Sequence, residues 1–81
     1  MALITNFERK SEAAGKLQRT SVVGHYKVFS HDGQNRILQI DTLGSEAREH
    51  PGKVSQTIQL SADSAEALWE ILGKEFGLNT R

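Results

Sequence analysis

An Asp-Gly pair between two β-rich runs constrains this 81-residue chain more than any other feature. The runs Ser21–Ser30 and Arg36–Leu43, on either side of the pair, are rich in β-branched and aromatic residues, which favour strands. Both central residues of a tight hairpin turn need positive φ, and Asp32 and Gly33 tolerate that conformation. The sequence therefore predicts a β-hairpin that forms the first two strands of an antiparallel sheet.

A third strand and a helix are predicted after the hairpin. Apolar and polar residues alternate along Val54–Leu60, as is typical of a strand with one buried and one wet face. Ser61 or Asp63 can cap a helix that ends at Gly77. One stripe at helical spacing holds its apolar residues: Ala65, Leu68, Trp69, Leu72 and Phe76. The predicted class is α+β, an antiparallel sheet of three to four strands followed by one C-terminal amphipathic helix packed on one sheet face.

The helix is expected to bury Leu68, Trp69 and Leu72 against the sheet. The strand residues expected beneath it are Leu38, Ile40, Ile58 and Leu60. Residues 1–19 hold few large apolar side chains, so they are predicted to form a mobile or partly ordered N-terminal arm. Residues 20–81 form the single βββα domain.

The size of the chain and its lack of cysteine point to association as a source of stability. A domain of this length buries only about 60–65% of its unfolded surface. Without cysteine, disulfides and thiolate metal sites are excluded. Three scattered histidines predict no zinc site. A homodimer is the expected support, because a small sheet with one helix leaves edges and a face open.

Motifs for catalysis are missing from the sequence. His25, His31 and His50 have no partner at a catalytic or metal-binding spacing, and no glycine pattern matches a phosphate loop. Asp41 and Glu46 are two carboxylates near a strand end, which is commonplace. We predict that the protein is not an enzyme and needs no metal or cofactor.

The apolar runs and the cysteine content predict a cytoplasmic protein with no membrane span. No apolar run approaches the roughly 20 residues that a spanning helix needs. Residues 1–7 have no charged region before their short apolar stretch, so no secretory signal is expected. The lack of cysteine is consistent with a reducing compartment.

Charge is unevenly distributed although the net charge is zero. Residues 1–36 carry six Lys or Arg and three Asp or Glu, whereas residues 37–81 carry four and seven. A basic N-terminal part and an acidic helix can give the protein one face that attracts a polyanion. The alternative is an ordinary solvated surface, because strong nucleic-acid binders usually have a clear basic excess.

Residues 25–72 resemble the positive-cofactor-four family of transcriptional coactivators. The resemblance rests on Leu38–Asp41, on Pro51–Lys53 after an acidic loop, on Ile58–Leu60, and on a helix with Trp69 and Leu72. This family has a strand reading Leu-x-x-Ile, a loop with Pro-x-Lys, a strand ending Ile-x-Leu, and a helix that carries a Trp.

The resemblance implies a homodimer that binds single-stranded DNA through sheet faces and basic loops. The chain departs from the family in several features, which include a longer distance from Pro51 to Leu60, a shorter loop before Pro51 and fewer basic residues. Val54–Gln56 stand where the family has Lys-Gly after its Pro-x-Lys, and Trp69 lies one turn beyond the usual Trp position, which holds Ala65.

The function predicted first is a small single-stranded nucleic-acid-binding module related to transcription or DNA maintenance. Such a module needs cations for phosphate, an aromatic ring for base stacking and a wet sheet face. Phe29 is the stacking candidate, and Lys27, Arg36, Arg48 and Lys53 are the phosphate candidates. The polar candidates on the sheet are Gln39, Ser55 and Thr57. Asp41 is expected on the same face, where it would repel phosphate.

Two other functions remain open at the level of sequence. A protein-interaction or structural module could use the open sheet face or a sheet edge without nucleic acid. A reader of double-stranded DNA could place the sheet in the major groove, although Arg is scarce on both faces.

Overall fold

The structure, a computed structural model, describes residues 1–43 and 54–78. Within these residues the elements are β1 (Ala2–Ile4), β2 (Gly24–His31), β3 (Asn35–Leu43), β4 (Val54–Leu60) and α1 (Ala62–Phe76). The strands form one sheet in the order β1-β4-β3-β2. β1 pairs parallel with β4, and the other pairs are antiparallel. The predicted α+β fold, with a sheet followed by one C-terminal helix, is confirmed.

The hairpin between β2 and β3 forms as the Asp-Gly pair predicts. Asp32 and Gly33 have φ values of 54° and 80°. The amide of Gln34 donates to the carbonyl of His31 at 3.3 Å. The Asp32 carboxylate accepts from the backbone amides of Gln34 and Asn35, so the side chain itself stabilises the reversal of the chain.

Helix α1 begins and ends where its capping residues predict. The Ser61 hydroxyl accepts from the Ser64 amide, and the Ser64 hydroxyl accepts from the Ser61 amide, which completes a capping box. Gly77 has a φ of 67° in the left-handed region, where glycine ends helices without strain from a side chain. Of the two predicted caps, Ser61 is the N-cap, and Asp63 lies in the first turn.

Strand register divides the sheet into two chemically different faces. Leu38 pairs with Leu60 and Val28, and Ile40 pairs with Ile58 and Tyr26. We call this side the apolar face, and its members are Ala2, Ile4, Tyr26, Val28, Leu38, Ile40, Ile58 and Leu60. The opposite side is the polar face, and its members include His25, Lys27, Phe29, Gln39, Asp41, Thr57 and Gln59.

The segment between β1 and β2 crosses from one edge of the sheet to the other, because these strands lie at opposite edges. Phe7 lines an open groove of about 750 Å³ together with Ala67 and Ile71 of α1. Arg9 forms an ion pair with Glu75 at 3.0 Å. This pair is exposed, and exposed pairs contribute little to stability.

The expected burial of Trp69 is wrong for the chain taken by itself. Trp69 is 56% exposed, and Leu72 and Ile58 are exposed as well. Among the described residues Leu60 is the one buried large apolar side chain, at 2% exposure. Because the N-cap follows directly on Leu60, the first turns of α1 lie nearest the sheet, where Ser64 is fully buried. The last turn leaves Phe76 in solvent.

Leu60 should be the most sensitive apolar position of the chain. We expect Leu60→Ala to lower the free energy of unfolding by about 2–5 kcal/mol, the range for leucine truncation in a packed site. Leu17→Ala is the matched control, because Leu17 is 92% exposed and surface changes cost at most about 0.5 kcal/mol. Urea denaturation of both variants checks this expectation, and equal midpoints would contradict it.

Candidate nucleic-acid interface

A chain of side-chain hydrogen bonds crosses the polar face from β4 to β3 and back. The Gln59 amide nitrogen donates to the Gln39 side-chain oxygen at 2.9 Å. The Gln39 amide nitrogen in turn lies 3.2 Å from both carboxylate oxygens of Asp41. The Thr57 hydroxyl donates to Asp41 Oδ1 at 2.7 Å. We call these four residues the polar ladder.

All hydrogen bonds of the ladder are donated in the direction of Asp41, because Asp41 can only accept. An ionised carboxylate only accepts hydrogen bonds, so Gln39 must turn its nitrogen towards Asp41. Its oxygen then faces Gln59, which must donate. Cross-strand register makes these contacts possible, because Gln39 lies opposite Gln59 and Asp41 lies opposite Thr57.

The surroundings of Asp41 keep it charged at neutral pH. The hydrogen bond from Thr57 is the main cause that lowers the pKa of Asp41, and the hydrogen bond from Gln39 adds to it. The positive charges of Lys27 and His25 lower this pKa further, while partial desolvation opposes the shift. The polar face therefore has a fixed negative charge beside its cations.

A cation and an aromatic ring lie side by side on β2. The Lys27 ammonium is 5.9 Å from the centroid of the Phe29 ring, within the range of a cation–π contact. Phe29 is 37% exposed, so part of its ring is open to solvent. Lys27 lies directly opposite Gln39 in the register, which places this pair next to the ladder.

An open pocket lies at one end of the ladder. Its volume is about 400 Å³. The residues that line it are Met1, Gln39, Asp41, Val54, Ser55, Gln56 and Thr57. A polar wall and a short apolar rim thus surround a space with the Asp41 carboxylate on one side.

The structure brings together most of the predicted site residues that it describes. Lys27, Phe29, Gln39 and Thr57 share the polar face, and Ser55 lines the adjoining pocket. Thr57 is only 7% exposed, so the expectation that its side chain is open to solvent is wrong; its hydroxyl donates to Asp41 instead. Arg36 pairs with Ser30 and is therefore in register with the apolar face. Arg36 also lines a small pocket with Ser61 and Asp63 at the start of α1. Arg48 and Lys53, with the Pro51-Gly52 turn, lie outside the described residues.

The sequence did not predict three members of the polar face as site residues: His25, Asp41 and Gln59. The alternation of β4 already indicated that Gln59 faces outwards. The bonds that join it to Gln39 and Asp41 depend on the pairing of β3 with β4, which sequence periodicity leaves open. Asp41, expected only to repel phosphate, is the acceptor that orders its neighbours.

Residues 1–43 and 54–78 contain neither a candidate metal site nor a helix that could span a membrane. No group of three His, Asp or Glu side chains in these ranges is placed to hold a metal ion. Helix α1 of the same part of the chain lacks the length and apolar character that crossing a membrane requires.

Comparison of the chain with protein-family models, with curated proteins and with solved structures finds no match. The resemblance to the positive-cofactor-four family therefore stays a prediction from residues 25–72.

Removing the Thr57 hydroxyl should raise the pKa of Asp41 towards its ordinary value of 3.8. We expect this for Thr57→Val, because Thr57 provides the largest lowering contribution. Titration of the Asp41 carboxyl carbon by NMR measures the change. Asp32 is an internal control, since its lowered pKa depends mainly on the Asn35 amide.

The same variant should change stability in acid in a defined direction. A folded-state pKa below the unfolded one stabilises the protein at pH values above the unfolded pKa, which is close to the ordinary value. This stabilisation is lost as the pH falls through the lowered pKa of the folded state. In Thr57→Val the folded-state pKa of Asp41 should lie closer to its unfolded pKa, so less stability should be lost through Asp41 as the pH falls. An unchanged Asp41 titration in the variant would contradict both expectations.

Proposed function

We propose that this protein is a non-enzymatic, homodimeric module that binds single-stranded nucleic acid through the polar face. The observation that carries the proposal is the Lys27–Phe29 pair, with its ammonium 5.9 Å from the ring centroid, beside the uncharged polar side chains of the ladder. A cation next to a partly open ring suits a phosphate next to a stacked base.

The chemistry of the polar face favours a single strand over a duplex. Bases must be unpaired to stack on a side-chain ring, and every base offers a π-face for this contact. Amides and hydroxyls from Gln39, Gln59 and Ser55 can bond to base edges or to sugars. Arg, the commonest specific reader of duplex DNA in the major groove, does not occur among the members of the polar face that are described.

The charge balance predicts modest affinity. The ion pairs among the described residues join Arg9 to Glu75 and Lys10 to Glu12, which leaves Lys27 in no ion pair within these ranges. Asp41 lies close by and offsets part of this charge. Few phosphates are therefore neutralised per chain, and binding should decline only gently with salt.

The dimer part of the proposal rests on uncovered apolar surface. The chain exposes 7393 Å², whereas a compact monomer of its 9.0 kDa mass exposes about 4,900 Å². Its radius of gyration is 15.0 Å, against about 12 Å for a compact domain of this length. The exposed arm between β1 and β2 accounts for part of this difference.

Exposed apolar side chains account for another part of this excess surface. The helix stripe, which we define as Trp69, Leu72 and Phe76, is exposed, and Tyr26 on the apolar face is 76% exposed. A standard interface covers about 800 Å² on each partner. A second copy of this chain is the occupant that we propose for these surfaces, since a symmetric pair covers both copies at once.

A protein-interaction or structural module without nucleic acid is the second candidate function. The zero net charge and the Asp41 carboxylate on the polar face favour it. We propose a role in transcription or DNA maintenance for the first function, and a cytoplasmic location for either, consistent with a chain that has no cysteine.

The dimer should be sensitive to charge on the helix stripe. We expect wild-type protein to have twice the chain mass of 9.0 kDa in light scattering at high micromolar concentration. Trp69→Glu should shift it towards the monomer, because a carboxylate would be buried unpaired at the interface. Leu17→Glu on the exposed arm is the control and should stay dimeric. A monomeric wild type would reject the dimer.

Binding should separate into an electrostatic part and a stacking part. For a labelled single-stranded oligonucleotide, we expect Lys27→Gln to reduce the logarithmic salt slope by about 0.7, the contribution of one phosphate. Phe29→Ala should weaken binding by about 1–3 kcal/mol with the slope unchanged, because it removes only stacking.

Fluorescence anisotropy across a salt series measures both effects. Lys74→Gln, which removes the same charge from the last turn of α1, is the control and should keep the wild-type slope. If wild-type protein shows no binding at low salt, the interaction module becomes the better account.

A further inference from the structure

We propose that the polar face selects single strands whose bases have exocyclic amino groups, and that Asp41 is the residue that reads them. This inference rests on the proposed function and adds a base preference to it. Adenine, cytosine and guanine have such an amino group, whereas thymine and uracil have none.

The Asp41 carboxylate retains an acceptor position after its own contacts are satisfied. A carboxylate offers about four acceptor positions. Oδ1 accepts from Thr57 at 2.7 Å and lies 3.2 Å from the Gln39 nitrogen, which lies at the same distance from Oδ2. One position on Oδ2 is therefore open to a further donor, and Asp41 is only half-buried.

The hydrogen bonds of the ladder leave mainly acceptor atoms around the open position on Asp41 Oδ2. Thr57 uses its only proton on Asp41, so its hydroxyl has lone pairs but no further donor. Gln39 holds its nitrogen towards Asp41 and its oxygen towards Gln59. Neither amide can reverse without placing an oxygen against another acceptor. The carboxylate is thus held in one orientation, which a loop residue would not achieve.

Such a site favours a donor on the base. The cytosine N4 amino group is a donor that Asp and Glu accept from, whereas the same position of uracil or thymine is the acceptor O4. An O4 atom beside the Asp41 carboxylate brings two acceptors together, so the open position of Asp41 and the O4 atom form no hydrogen bond with each other. The polar face therefore distinguishes two pyrimidines of the same size by hydrogen bonding alone.

The position of Asp41 leaves room for a base. The carboxylate lines the open pocket of about 400 Å³ beside Ser55, enough for one base and some water. Lys27 is close enough for its positive charge to lower the pKa of Asp41. This charge offsets the repulsion between the carboxylate and a strand whose phosphates pass over Lys27.

Equal-length labelled oligo(dC) and oligo(dU) test the proposal at neutral pH and low salt. They share a backbone and lack the thymine methyl group, so base-edge hydrogen bonding is their main difference. We expect wild-type protein to bind oligo(dC) roughly 2- to 10-fold more tightly, the range for one net hydrogen bond. Asp41→Asn should bring the ratio near one, chiefly by tighter binding of oligo(dU), because the amide can donate to O4 and has no charge.

Glu66→Gln is the matched control, since it removes one acidic charge from an exposed position of α1 and should keep the wild-type ratio. Thr57→Val retains the carboxylate and frees its orientation, so it should lower the ratio and provides a second test if Asp41→Asn fails to fold. Equal binding of both oligonucleotides by wild type, or a ratio that survives in Asp41→Asn, overturns the base preference and leaves the proposed function intact. Absence of binding to either oligonucleotide overturns both.

Discussion

The shortage of buried apolar surface is the constraint on which the rest of this structure depends. A four-stranded sheet with one helix can cover one sheet face only if the helix lies along it. Here α1 starts directly after Leu60, at the end of β4, where the Ser61–Ser64 capping box satisfies backbone amides of its N-terminus. The first turns therefore seal Leu60, while Trp69 and Phe76 stay in solvent. The apolar area left uncovered is what makes self-association the reasonable source of stability.

Strand register gives the sheet two surfaces of different chemistry, one apolar and one polar. A period of two places Leu38 and Ile40 on one side and Gln39 and Asp41 on the other. The apolar side is then available for a partner copy, while the polar side stays accessible. A homodimer that covers the apolar faces would thus leave both polar faces free, so the proposed dimerisation and the proposed ligand binding would not compete for the same residues.

The polar face combines features that favour a nucleic acid with one that opposes it. Lys27 and Phe29 provide charge and stacking area, while Asp41 adds a negative charge. In a simple phosphate-binding surface such a carboxylate only weakens binding. On this face it is the acceptor that aligns Gln39, Gln59 and Thr57. In the proposed function, a residue that costs affinity would in this way provide selectivity, because it would accept hydrogen bonds from some bases and repel others.

The sequence by itself determined the β2–β3 hairpin, β4, α1 and the two faces of the sheet. Asp32 and Gly33 define the hairpin, since few residue pairs accept positive φ at both positions. Alternation along β4 assigned Thr57 to the polar face, although its side chain is buried there, and Ser61 or Asp63 with Gly77 bounded the helix. These are local signals, set by φ/ψ preferences and by the period of each element, and they need no knowledge of the rest of the chain.

Only the tertiary structure decided how those elements pair, pack and contact one another. The three residues of β1 are too few to give a pattern, so their parallel pairing with β4 had no sequence signal. The exposure of Trp69 depends on the angle at which α1 leaves the sheet, and a helical stripe has the same spacing whether a sheet or a second copy covers it. The polar ladder depends on the pairing of Gln39 with Gln59 and of Asp41 with Thr57. Such contacts between distant residues follow from register, because hydrogen bonds form only between groups that the fold brings within about 3 Å.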